Sequence, residues 1–207
     1  LAFIIYFAAW LAGAKERVKT FRWGLLTFII LLGISAALLL QQPDTDNLIL
    51  IVIAGVAMFV AAGGKWRHVL IIILAGVSGL VFLAYTKPYI RERITTFFDP
   101  QTDSLGASFQ IRQSLIAIGS GGLFGRGFGQ SVQKFTYLPE PVGDSIFAVA
   151  AEEFGFVGSL LLLTIFVLFA LRGLKIASET SDIFGRLTIV GIVIMIVFQA
   201  FVNIGAM

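Results

Sequence analysis

Long apolar runs broken by short polar punctuation dominate the chain. A first run covers Leu1 to Gly13, followed by runs from Trp23 to Gln41, Leu48 to Gly64 and Val69 to Thr86. After a long break, two more extend from Ser145 to Leu171 and from Leu187 to the end. Runs of this kind can cross a hydrocarbon core of about 30 Å. Backbone groups in lipid have to be satisfied inside the segment, so each run predicts a helix. The residue-by-residue alternation of a membrane β-strand is missing. The pattern predicts an all-α, polytopic transmembrane helical bundle, with six spans in one transmembrane domain covering 1–207. Both ends sit in apolar sequence, Leu1-Ala2-Phe3-Ile4 and Asn203-Ile204-Gly205-Ala206-Met207. This reads as an internal fragment of a longer membrane protein, and no signal peptide is expected.

Composition narrows the picture. Hydrophobic residues make up 58% of the 207 and charged residues only 13%, about half the roughly 25% usual in soluble domains. Mean hydropathy is +0.96. A soluble core of this size could not hide so much apolar surface. An ordinary cytosolic enzyme, a disordered chain and a nucleic-acid-binding domain are excluded. There is no cysteine, which removes disulfides, thiolate metal sites and Cys nucleophiles. The net charge of +3 follows from loop lysines and arginines rather than from an acidic partner.

Those loop charges set an orientation. Lys15, Arg17, Lys19 and Arg22 crowd the first loop, Lys65, Arg67 and His68 the third, and Arg172, Lys175 and Arg186 the fifth. By the positive-inside rule these three are cytoplasmic. The second loop, Gln42 to Asn47, has no Lys or Arg and falls outside. The parity places the long segment 87–143 outside as one large extracytoplasmic loop. His68, the single histidine, reads as an interfacial residue; without neighbouring ligands it makes a poor metal site.

The outer segment is too long for a simple connector and is rich in apolar residues, among them Phe97, Phe98, Phe109, Leu115, Phe124 and Phe135. The stretch Ser108 to Ile118 predicts an amphipathic surface helix or a re-entrant piece. Gly119 to Gln130 is a glycine-rich turn. It lacks the Gly-Lys-Ser/Thr and the strand–helix context of a P-loop, so the glycines predict tight turns and close approach to a helix or ligand. Arg126 in their midst can offer a positive charge to a phosphate.

Pro139 and Pro141 impose an extended path that leads to Asp144, just before an apolar helix. Asp144 reads either as a helix N-cap or as a carboxylate facing a cavity at the outer interface. Glu152 and Glu153 lie one to two turns farther in. Carboxylates in a membrane span are costly and face a bundle interior or a water-filled cavity. Adjacent side chains point about 100° apart, so at least one of this pair needs a partner. Asp144 and Glu152 are about 12 Å apart in helix rise, more than the ~6.5–9.5 Å of an inverting acid/base pair. A single base suits a leaving group that needs no acid. A diphosphate is one, and cations assist its departure. Arg93, Arg126 and Lys134 are the candidate cations on that side.

The stretches Gln113-Ser114 to Gly122, Gly125-Arg126 to Lys134, Tyr137-Leu138-Pro139-Glu140, Asp144 to Val149 and Glu152 to Gly158 together resemble the SEDS family (shape, elongation, division and sporulation), which includes FtsW, RodA and SpoVE. Gln42-Pro43-Asp44, Pro88-Tyr89, Arg93-Ile94-Thr95, Phe98-Asp99-Pro100 and Asn203-Ile204-Gly205 extend the likeness over essentially the whole chain. The resemblance implies a protein of about ten helices, of which this chain holds roughly the fourth to ninth. It implies a peptidoglycan glycosyltransferase that polymerises lipid II alongside a class B penicillin-binding protein. The setting would be the bacterial plasma membrane, and the division septum for an FtsW-like member. Asp144 would be the general base. Lys134 and Arg93 would contact the diphosphate, with Arg126, Gln113, Ser114, Glu152 and Glu153 also in the substrate site. No metal ligands are implied; a divalent cation, magnesium or manganese, is left open. Two departures stand out: Thr45-Asp46-Asn47 where the family often has Leu-Gly-Thr, and Val142-Gly143 where it often has His-Thr before the aspartate. A lipid II flippase and a non-catalytic scaffold for the penicillin-binding protein are the competing readings.

Overall fold

A computed structural model describes residues 1–42, 44–86, 107–136, 138–139 and 143–205. The described residues form α1 (Ala2–Ala14), α2 (Leu26–Gln41), α3 (Thr45–Ala61), α4 (Trp66–Thr86), α5 (Ala107–Ser120), the short α6 (Gln133–Thr136), α7 (Ile146–Glu179) and α8 (Ile183–Gly205). A 3₁₀ turn (Lys15–Lys19) and a π turn (Phe21–Leu25) link α1 to α2. The six runs read from the sequence are all helical, and α5 falls on the predicted amphipathic stretch. Four described helices are long and apolar enough to cross a membrane: Phe21–Gln41, Trp66–Thr86, Ile146–Glu179 and Ile183–Gly205. At most 22% of the apolar window of any of these is buried within the protein. A polypeptide in water could not leave that much apolar helix uncovered; lipid covers it here.

Contacts divide the chain into two compact units, Leu1–Gly79 with Val167–Gln199, and Leu80–Phe166 with Ala200–Met207. The first unit is held by aromatic stacking. Phe7 lies against Phe3, Trp10 and Phe28 at ring separations of 5.5, 6.0 and 5.0 Å, and Phe28 continues to Phe59 at 5.7 Å. Between helices in lipid, packing rather than water exclusion provides the attraction, and small residues let backbones approach. Gly191 accordingly faces Ile4 and Met58, and Gly55 faces the Phe28 ring. Thr20 organises the turn into α2: its hydroxyl donates to the Arg17 carbonyl and accepts from the Trp23 amide. Asp44 caps α3 by accepting from the Asn47 amide at 3.2 Å, as an N-cap should.

The basic loops of this unit come together. The Phe21 ring lies 6.4 Å from His68, and Lys19 reaches Gly63. Ala177 and Leu187 join the same buried cluster as Val18. His68 was expected at an interface. It opens α4 as predicted but is 8% exposed, lying against both Phe21 and Phe59.

The second unit carries the described part of the long segment 87–143. Ala117 on α5, Leu138, and Ala148 and Val149 on α7 form its buried cluster. This chain holds no cysteine, so single cysteines placed in it check its orientation once any cysteine elsewhere in the full-length protein is replaced by serine. In spheroplasts, a Gln42→Cys variant of the full-length protein should react with a membrane-impermeant maleimide from outside, and Arg67→Cys only after lysis; the reverse labelling would overturn the assigned sidedness.

Candidate active site

The predicted fifth span is not one straight helix. Gly155 takes φ 68° and ψ −167° inside α7, a left-handed φ that side chains resist. The break leaves carbonyls at the end of the first half and amides at the start of the second without helical partners. The glycine-rich turn supplies them. The Arg126 and Gly127 amides donate to the Glu152 and Glu153 carbonyls, each at 3.0 Å. The Phe156 and Val157 amides donate to the Gly122 and Leu123 carbonyls at 2.9 and 3.1 Å. Two backbones cross this closely only without side chains between them. A Cβ at Gly125 would overlap the Glu153 carbonyl, and one at Gly155 would overlap the Gly125 amide.

The same crossing positions the carboxylates. Glu152 is fully buried. It accepts from the Ser131 hydroxyl at 2.6 Å, the Val132 amide at 3.1 Å and the Gln133 amide at 3.3 Å. The Arg126 guanidinium stands 3.6 Å away. Glu153 accepts from the Lys134 ammonium at 2.6 Å, and Lys134 also lies over the Phe135 ring. Ser131 caps α6, accepting from the Lys134 amide at 3.2 Å. Two buried negative charges are thus matched by two positive ones, which removes much of their desolvation cost. Lys134 is committed to Glu153, whereas the Arg126 side chain is 43% exposed.

Asp144 stands apart from this cluster. It is exposed, two residues before α7, and its carboxylate makes no hydrogen bond or ion pair among the described residues. The capping position next to Ile146 belongs to Ser145. Ser145 is buried; its hydroxyl donates to the Pro139 carbonyl at 3.1 Å and accepts from the Gln110 amide at 3.2 Å. Ser114 is also fully buried on α5, with its hydroxyl unpartnered among the described residues, and Gln113 beside it is half-buried. Arg93 lies outside the described residues, as does the 87–106 part of the outer segment. The divalent cation left open by the sequence has no group of three or more His, Asp or Glu side chains to hold it among the described residues.

Ser131, Gln110 and Ser145 were not singled out as site residues from the sequence. Only Ser131 had a local signal, a serine opening a short helix.

A family model described as "Cell cycle protein", spanning FtsW, RodA and SpoVE, matches residues 1–207. The chain belongs to this family. Among its relatives, stage V sporulation protein E of Bacillus subtilis (strain 168) is 43% identical over 99% of this chain and 56% of its own length. A probable peptidoglycan glycosyltransferase FtsW of Geobacter sp. (strain M18) is 38% identical over 98% of this chain and 55% of its own. The corresponding Legionella pneumophila protein is 38% identical over 99% and 53%. The chain thus spans about half the length of the curated relatives it matches. As a FtsW/RodA/SpoVE family member with long apolar helices, it is a multi-pass membrane protein.

Substitutions at Gly155 and Glu152 test the crossing. Gly155→Ala should destabilise the full-length protein by about 2 kcal/mol or more, read as a fall in melting temperature, while Gly119→Ala, where a Cβ meets nothing within 4 Å, should leave it unchanged. Glu152→Ala strands the buried Ser131 hydroxyl and two part-buried backbone amides and leaves Arg126 without its carboxylate. It should cost about 3 kcal/mol, with Glu152→Gln losing less; equal melting of Glu152→Ala and wild type would contradict the anchoring role.

Proposed function

We propose that the protein to which this chain belongs is a peptidoglycan glycosyltransferase that polymerises lipid II, with Asp144 as general base. The relatives named as probable glycosyltransferases support the reaction class. The observation that carries the residue assignment is the contrast among three acidic side chains. Glu152 and Glu153 are buried and fully engaged, so neither is available to take a proton. Asp144 is exposed and uncommitted at the mouth of the outer segment.

In this reading Asp144 accepts the proton of the acceptor sugar hydroxyl. The hydroxyl oxygen then bonds to the anomeric carbon of the donor, and the bond from that carbon to the phosphate oxygen breaks. The lipid diphosphate departs as an anion and needs no acid. Arg126, whose side chain is 43% exposed, would stabilise it, and the family resemblance adds Arg93 to that role. Lys134 ties the segment before α7 to that helix through Glu153. Such preorganised positive charge acts most strongly where water is excluded. A class B penicillin-binding protein is the proposed partner, and the septal plasma membrane the proposed place of work.

The break in α7 favours a second reading, since discontinuous helices at membrane depth also build transporter sites. A flippase would move lipid II across liposomes without forming polymer. The glycosyltransferase reading predicts polymer from lipid II already outside, and none from Asp144→Ala in the full-length protein with its partner. Wild-type glycan formation by Asp144→Ala would sink it.

A further inference from the structure

Among the described residues Asp144 has no side-chain bond to fix it, yet a general base has to be held close to its proton for the reaction to proceed. The adjacent residue provides the hold. Ser145 is 0% exposed, and its hydroxyl ties two segments together: Gln110 on α5, 35 positions away, donates to it at 3.2 Å, and the Pro139 carbonyl, six positions back, accepts from it at 3.1 Å. Its own carbonyl accepts from the Val149 amide in the first turn of α7 at 3.2 Å. Ala117, Leu138, Ala148 and Val149 pack together in the same unit. With Ser145 pinned on both its side chain and its backbone, the peptide that carries Asp144 has little rotational freedom left, and the carboxylate projects from a fixed point.

We propose that Ser145, held by Gln110, is the positioning residue for the Asp144 carboxylate, an inference that rests on the reading of Asp144 as general base. Ser145 touches no substrate. It acts by fixing the backbone from which the base extends, and Gln110 extends that control to α5, the helix that leads into the glycine-rich turn.

The test uses full-length protein with its partner and lipid II as the probe, and measures kcat and KM separately. Ser145→Ala should lower kcat by about 10- to 100-fold, with KM within about twofold of wild type. Because Ser145 is wholly buried, Gln110→Leu, at a half-buried position, carries the test if the serine variant fails to fold. It should show the same split, and the double variant should be no slower than the worse single, since both losses run through one hydroxyl. Wild-type kcat in Gln110→Leu and in any folded Ser145→Ala, with Asp144→Ala inactive, would overturn the positioning role alone. Additive losses, or kcat and KM moving together with the melting temperature, would also overturn it in favour of a purely structural role. Polymerisation by Asp144→Ala at the wild-type rate would overturn this inference together with the reading beneath it.

Discussion

The described part of the second unit depends on how a broken helix is made whole. In lipid an unpaired backbone amide or carbonyl costs several kcal/mol, and no water is at hand to relieve it. The break at Gly155 exposes such groups on both sides, and four hydrogen bonds from the glycine-rich turn close the gap. Because the partners are backbone atoms, the join depends on close approach more than on side-chain identity. That is why glycines stand at the points of contact, and why the turn cannot shift without reopening the helix.

The charges follow from the join. Once the turn is laid across α7, Glu152 and Glu153 lie beneath Ser131, Val132, Gln133 and Lys134, with Arg126 alongside. Buried ion pairs are poor sources of net stability, but they are intolerant of losing one member. Their effect here is to fix register: the outer segment can dock in one way only, with each acid under its own cation. Among the described residues of 107–166, Asp144 is the acidic side chain left out of this arrangement.

Much of this was legible in the sequence, for definable reasons. The spans announced themselves because a bilayer demands uninterrupted apolar length, and the basic loops because their sign is asymmetric. Glu152 and Glu153 drew attention because carboxylates in a span need partners, and each has one. The break at Gly155 was not legible, since Phe154-Gly155-Phe156 reads as an ordinary helical stretch and only the approach of residues 122–127 reveals its purpose. Nor was the bond of Gln110 to Ser145, which spans 35 positions and leaves no periodic trace. Lys134 reads in the sequence as a free cation; its commitment to Glu153 becomes visible only once the turn has folded back across α7.

The crossing also dictates an order of events. Residues 121–127 leave the ribosome before the stretch of α7 on which they sit, and they cannot pair with a helix not yet made. Until then their amides and carbonyls have to be satisfied by water. Closure of the crossing is therefore a late step, set by the arrival of α7. A chain stalled between the two would expose a basic, glycine-rich strip with its acidic counterpart missing.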